Sequence, residues 1–249
     1  IKFENMGKGI VYLPVYYEGD KKRAFHYPFV LNVSGELEFL EPDTTDRFAL
    51  RLERKYPYDG IQYSFSEALT DAAIVASNTT AEMDFDTVAF LPSENHYYLS
   101  VSLPDTLPAF RYWQVRASAN IYFAETFFYD SAGIKVLPDS VFIGTYAFDG
   151  NILTNDLCPR VAVGFREPVR ISRIVCLPRS DGNGVYPENV YELFYFAAGG
   201  WQSLGRKKAE DYFLDYENIP RGGLYWLRNL TTGVEERIFT YRNGMIRFW

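Results

Sequence analysis

The sequence predicts an all-β protein, on three observations. Aromatic residues make up 18% of the 249 residues, with 20 Tyr and 20 Phe, and such flat side chains pack well on pleated strands. The apolar residues fall in short, β-branched runs, among them Val161 to Phe165 and Val169 to Leu177, bounded by Gly, Asn and Asp, which accept turn conformations. No segment carries sustained helical periodicity. The one local helix signal runs from Ser66, a fitting N-cap, to Ala76, and an internal repeat argues for a turn or a short strand there instead.

In chain order, Ile10 to Tyr17 reads as a strand ended by Glu18-Gly19-Asp20. Phe29 to Val33 and Glu36 to Leu40 flank Ser34-Gly35 as a hairpin. Phe48 to Arg54 alternates apolar and charged residues, the mark of a half-buried strand. Residues 1–57 are therefore expected to form a small N-terminal β domain, with Pro57-Tyr58-Asp59-Gly60 as its junction.

From Gly60 four blocks recur in the same order. Tyr63-Ser64-Phe65 with Leu69-Thr70 parallels Tyr146-Ala147-Phe148 with Leu153-Thr154. Val88 to Pro92 with Asn95 parallels Ile174 to Pro178 with Asn183. Tyr112-Trp113 with Arg116 parallels Tyr225-Trp226 with Arg228, and Ala124 to Tyr129 parallels Glu235 to Thr240. The repeat predicts two tandem copies of one β unit, residues 58–140 and 141–249. The second copy is centred on Gly144 to Gly184, read as loop, strand, tight turn at Arg166-Glu167-Pro168, strand, loop. Cys158 and Cys176 lie on the two runs beside that turn. Folding the hairpin brings them near one another, either as a disulfide or as two buried free thiols.

The net charge is −7, and the only basic runs are Lys21-Lys22-Arg23 and Arg206-Lys207-Lys208, which read as solvated turns. Nucleic acid is not an expected partner. No apolar run approaches the roughly 20 residues of a membrane-spanning helix, so no span is expected. The chain opens in mid-stream at Ile1, and a leader or a further domain is expected ahead of it.

Ala147-Phe148-Asp149-Gly150-Asn151 with Thr154, Val169 to Ile174, and Glu235-Glu236-Arg237-Ile238-Phe239 together resemble a discoidin (coagulation-factor type C) domain of the galactose-binding-like superfamily. Phe110 to Arg116 and Ala124 to Tyr129 resemble the same fold more faintly. Tyr12 to Tyr17, Arg54 to Pro57, Leu177 to Gly184 and Glu235 to Tyr241 resemble the C-terminal part of uncharacterised secreted Bacteroidetes proteins, some with a transglutaminase-like domain ahead of such modules. The resemblance implies two tandem galactose-binding-like jelly rolls after the N-terminal β domain, the first of them degenerate. It also implies an extracytoplasmic location in the periplasm, at the cell surface or secreted.

Asp149-Gly150-Asn151 and Thr154 can form a calcium loop, because calcium takes hard oxygens from carboxylates, hydroxyls and carbonyls on a turning backbone. The resemblance implies a structural calcium in the second jelly roll, held by Asp149, Asn151 and Thr154 with Glu236 from the last strand. The plainer reading is an Asx turn. Ser66-Glu67-Ala68 stands at the matching place in the first copy, so no cation is expected there.

Arg179, Asp181 and Asn183 form a polar loop after a core strand, and Tyr186 follows. In this fold the loops at one end of the sandwich are the usual ligand surface, so these four residues are the expected glycan site, with Tyr186 stacking on a pyranose. The alternative is that Arg179 and Asp181 pair and brace the loop. Trp201 reads as edge packing, Trp113 and Trp226 as core, and Trp249 as a cap on a sheet edge. His26 and His96, the only histidines, lack the neighbours of a zinc site, and no cysteine–histidine nucleophile pair is expected. Glu235 and Glu236 point to opposite faces of a strand and cannot flank one glycosidic bond. The leading expectation is a non-catalytic carbohydrate-binding or cell-surface interaction module, its partner a glycan or a neighbouring protein domain. A structural spacer or docking domain ranks second. An unrecognised glycan hydrolase, with two converging carboxylates of which one has a raised pKa, ranks third.

Overall fold

The computed structural model describes residues 5–56, 67–93 and 98–249. Tyr63, Ser64, Phe65, Ser66, Asn95 and His96 lie outside the described residues. Every strand pairing among the described residues is antiparallel, and the all-β expectation holds. The sheets are of the general β-sandwich or jelly-roll kind. The chain forms two compact units, residues 58–183 and residues 1–57 with 184–249.

The strands before residue 58 are β1 (Val11–Tyr12), β2 (Val15–Glu18), β3 (Lys21–Ala24), β4 (Phe29–Leu31), β5 (Leu37–Phe39) and β6 (Asp43–Leu52). The continuous unit holds β7 (Ala73–Ser77), β8 (Asp86–Phe90), β9 (Leu99–Ser102), β10 (Phe110–Tyr129), β11 (Lys135–Val136), β12 (Ser140–Ile143), β13 (Asp156–Val169) and β14 (Arg173–Pro178). The chain ends with β15 (Val190–Ala197), β16 (Gly200–Lys208), β17 (Leu214–Arg221), β18 (Leu224–Asn229), β19 (Val234–Arg242) and β20 (Met245–Phe248).

In the continuous unit β10 is the spine. Its first half pairs with β13 on one side and β7 on the other, and its second half pairs with β14 and β11. The register against β13 shifts between Arg116 and Ile121. Such a bulge bends a strand and lets it serve two sheet directions. Trp113, Val115, Phe123 and Phe128 enter the core, where they meet Val161, Val163, Phe165 and Ile174; a register shift after Phe123 brings Phe128 to the same side. Glu67 is helical and residues 68–71 form a turn, with the Thr70 amide donating to the Glu67 carbonyl and the Ala72 amide to the Leu69 carbonyl, and β7 follows. From Ala68 to Ala76 the turn and strand argued by the repeat are present, while Ser66, the N-cap of the helix signal, lies outside the described residues.

The tandem division is corrected by these pairings. Because β10 bonds to β13 and β14, the expected boundary at 140/141 falls inside one sheet. Likewise β6 pairs with β17, with Leu50 opposite Tyr216 and Leu52 opposite Leu214, so residues 1–57 share a unit with the chain's end instead of standing alone. Here β15, β16, β18, β19 and β20 form a five-stranded sheet, β1, β4 and β5 a three-stranded one, and β2 with β3 a hairpin. The Ser34-Gly35 hairpin and the half-buried strand at 48–52 are as expected, with Leu50 and Leu52 buried and Arg51 exposed. Tyr191, Leu193, Tyr216, Tyr225 and Phe239 fill this unit's main core. Trp226 is half-buried against Phe194 and Trp201, and its neighbour Tyr225 takes the core place expected for it. Trp249 lies at the end of β20, its indole N–H donating to Thr240 Oγ1 at 3.2 Å.

Arg166-Glu167-Pro168 is not a hairpin turn either. It continues β13, and β14 begins at Arg173. Cys158 lies opposite Ile121 and Cys176 opposite Thr126, on the two sides of β10. Strands two apart are separated by about 10 Å, beyond the Cα reach of a disulfide, and both thiols are free. Burial pushes the Cys176 thiol up to about 12, so at pH 8 it is protonated and sealed. Alkylation of the native chain at pH 8 is expected to label Cys158 alone and slowly, because burial raises that thiol too. Cys176 should react only after unfolding; peptide mass mapping checks both.

Candidate functional site

Asp149, Asn151 and Thr154 do form one compact loop. Gly150 supplies a φ of 80° where a side chain is disfavoured. The Asn151 amide donates to Asp149 Oδ1 at 2.7 Å, and the Thr154 hydroxyl to Asp149 Oδ2 at 2.8 Å. That is the geometry of an Asx turn. Glu236 does not join it. Within the other unit its carboxylate is taken by Lys55, with Nζ to Oε1 at 3.0 Å and side-chain exposures of 10% for Lys55 and 5% for Glu236. The expected ligand set is corrected at this residue.

The carboxylate that approaches the Asp149 loop is Glu125 on β10. It is 1% exposed, and neither oxygen has a hydrogen bond of ordinary geometry. Burial pushes its carboxyl up to about 7; the Lys135 ammonium opposes this, while the Asp149 side chain adds to it. Lys135 lies 3.8 Å from the Phe127 ring centroid, and burial, partly offset by Glu125, lowers its own pKa. A buried carboxylate without ordinary partners, next to a second carboxylate and a hydroxyl, fits a hard cation. The described residues contain no cluster of three or more His, Cys, Asp or Glu that could hold a metal, so any cation here leans on Thr154 and loop carbonyls. A glycosidase pair is poorly served, since both carboxylates must reach one bond and Glu125 is sealed from a sugar ring. A lone charge in the apolar strand Ala124 to Tyr129 was the sequence signal. The repeat had already set that block beside the one containing Glu236.

The expected glycan residues are divided. Arg179 Nε bonds Asp181 Oδ1 at 2.9 Å, and this bond holds the guanidinium more firmly charged. The Arg179 guanidinium also lies over the Tyr122 ring, 5.5 Å from its centroid. Asp181 takes a φ of 51° and Gly182 one of 82°. Asn183 is 0% exposed. The loop is thus braced by its own polar groups, the plainer of the two sequence readings. Tyr186 belongs to the other unit, where its amide donates to the Tyr191 hydroxyl at 3.1 Å and Lys55 lies 5.8 Å from its ring centroid. His26 packs against Phe39 with centroids 4.4 Å apart, in an aromatic contact.

A better-formed concavity lies on the outer face of β10, β12 and β13. Its volume is about 230 Å³, with Tyr112, Gln114, Phe142, Arg160, Glu82 and Phe85 on its walls. Strand alternation builds it. With Trp113 and Val115 inward, Tyr112, Gln114 and Arg116 share the outer face of β10, and Arg160 and Gly164 that of β13. Gly164 leaves room for the rings: a Cβ there would stand 2.9 Å from Phe142 Cε2 and 3.2 Å from Tyr112 Cδ1. The Tyr112 and Phe142 centroids are 6.1 Å apart, and Phe142 is 58% exposed. At the other wall Glu82 Oε1 lies 2.9 Å from Arg116 Nη2 and 3.2 Å from Arg160 Nη1. Arg116 Nε donates to Gln114 Oε1 at 3.0 Å, and its guanidinium sits 5.2 Å from the Phe85 centroid. Sequence reasoning missed this groove. The alternation Tyr112, Gln114, Arg116 is legible, but its partners come from other strands and a turn distant along the chain.

Comparison with known protein families, with curated proteins and with solved structures gives no match.

Proposed function

We propose that this chain is a non-catalytic, extracytoplasmic carbohydrate-binding module. The observation that carries the reading is the groove on β10, β12 and β13, where an exposed aromatic ring adjoins planar hydrogen-bonding side chains. Sugars present both an apolar C–H face and a ring of hydroxyls. An aromatic ring receives the first, and Gln and Arg side chains reach the second. A groove of about 230 Å³ has room for a single pyranose ring. Strand backbone on a packed core holds these side chains in place, so little ordering cost falls on binding.

A structural calcium belongs to the same reading. Asp149, Thr154 and Glu125, with carbonyls of the loop, are the donors, and the ion supplies positive charge that offsets two adjacent carboxylates. Its role is to stabilise the fold beside β10; it takes no part in a reaction.

The test is a glycan array with the full chain and two variants. The wild type is expected to bind at least one glycan. Phe142→Ala should lose at least about tenfold in affinity, while Asp181→Ala, in the braced loop, should bind as the wild type does. A blank array, or unaltered binding by Phe142→Ala, defeats the assignment and leaves the spacer or docking reading in its place.

A further inference from the structure

We infer that the groove on β10, β12 and β13 selects an acidic sugar, one whose carboxylate is received by Arg160, with Arg116 as a second positive charge behind it. The inference rests on the glycan-binding reading and adds the chemical class of its ligand.

The argument begins with charge. Two guanidinium groups face one carboxylate: Glu82 Oε1 is 2.9 Å from Arg116 Nη2 and 3.2 Å from Arg160 Nη1. The trio carries one positive charge in excess. Arg160 lines the groove beside Ile143, Ala162 and Val163, and Arg116 lies opposite it on β10, so the excess charge borders apolar surface and is less hydrated than on an open one. Glu82 is the exposed member, with 61% side-chain exposure against 27% for Arg116 and 36% for Arg160. It comes from a short 3-10 turn, Glu82–Asp84, and not from the sheet.

Hydrogen-bond capacity points the same way. Each guanidinium offers five N–H donors in a planar fork that matches a carboxylate bidentately. Glu82 engages Arg160 through Nη1, which leaves the rest of that fork to the groove. Arg116 is committed inside the cluster, with Nε donating to Gln114 Oε1 and Nη2 buried in an ion pair with Glu82. Arg160 is therefore the carboxylate receptor and Arg116 the fixed charge behind it. The aromatic wall of Tyr112 and Phe142 stands across the groove from these arginines. A pyranose lying on that wall turns one edge toward Arg160, where a carboxylate on the ring gains a charge-assisted bond that a neutral hydroxymethyl cannot make.

The test uses the full chain and two probes, tetragalacturonic acid and its methyl ester, read by isothermal titration calorimetry. The acid is expected to bind at least about tenfold tighter than the ester. Arg160→Gln should erase that preference, bringing the acid down to the affinity of the ester, whereas Phe142→Ala should weaken both probes and keep the preference. Equal affinity for acid and ester, with Phe142→Ala still weakening both, overturns the charge selection and spares the glycan reading. Equal binding of both probes by Phe142→Ala and by the wild type, or no binding of either probe, overturns the inference together with its groove. Dextran sulfate is a third arm: binding as tight as the acid's would show charge attraction alone and also overturn the carboxylate assignment.

Discussion

Lys55→Met is expected to destabilise the chain by about 3–5 kcal/mol, because it leaves a buried carboxylate without its counter-charge. Lys55 Nζ and Glu236 Oε1 are 3.0 Å apart, with side-chain exposures of 10% and 5%. Desolvation of each ion is costly, and the opposite charge of the partner offsets it. Removing both charges at once, in Lys55→Met with Glu236→Leu, is expected to recover most of the loss, since well-packed apolar pairs often replace buried ion pairs at little cost. Urea denaturation of the wild type, both single variants and the double closes a double-mutant cycle. A single-variant loss below about 1 kcal/mol would place the pair among solvated surface bridges and reject its structural weight. The same pair explains why Glu236 is not available to a cation.

Calcium at about a hundred times its dissociation constant is expected to add about 2.7 kcal/mol to the stability of the folded chain. For a chain of this size that is a rise in Tm of about 5–10 °C. Glu125→Gln should remove the response. Glu236→Gln should keep it, although that variant starts from a lower Tm. The contrast separates the carboxylate chosen by structure from the one implied by resemblance. A wild type indifferent to calcium would rule out the cation and leave Glu125 a protonated core residue beside Lys135. A response lost in Glu236→Gln and kept in Glu125→Gln would restore the original ligand set. Magnesium serves as the control, because its demand for compact octahedral coordination is stricter.

Local features are legible in the sequence. The Phe29 to Leu40 hairpin, the alternating strand at 48–52, the Asp149 turn and the Arg179–Asp181 pair each depend on residues within a dozen positions of one another. Turn chemistry and period-two alternation suffice for such features. The errors share another origin. The repeat equated Tyr112-Trp113 with Tyr225-Trp226, yet Trp113 is fully buried and Trp226 only half so. It also divided at residue 140 a sheet whose central strand, β10, needs β13 and β14 as neighbours.

The sequence by itself determined the class and the pattern: an all-β chain, aromatic-rich and acidic, with many of its strands and turns in their observed places and an Asx turn at Asp149. Tertiary structure alone decided which strands pair and which charges meet. Strand pairing is non-local, since any amphipathic strand can bond to many others and the choice depends on the whole core. That choice put β6 beside β17, set Cys158 and Cys176 on opposite sides of β10, and gave Glu236 to Lys55. It also brought Glu82 to Arg160 across 78 residues of chain, closing one wall of the groove on which the functional proposal stands.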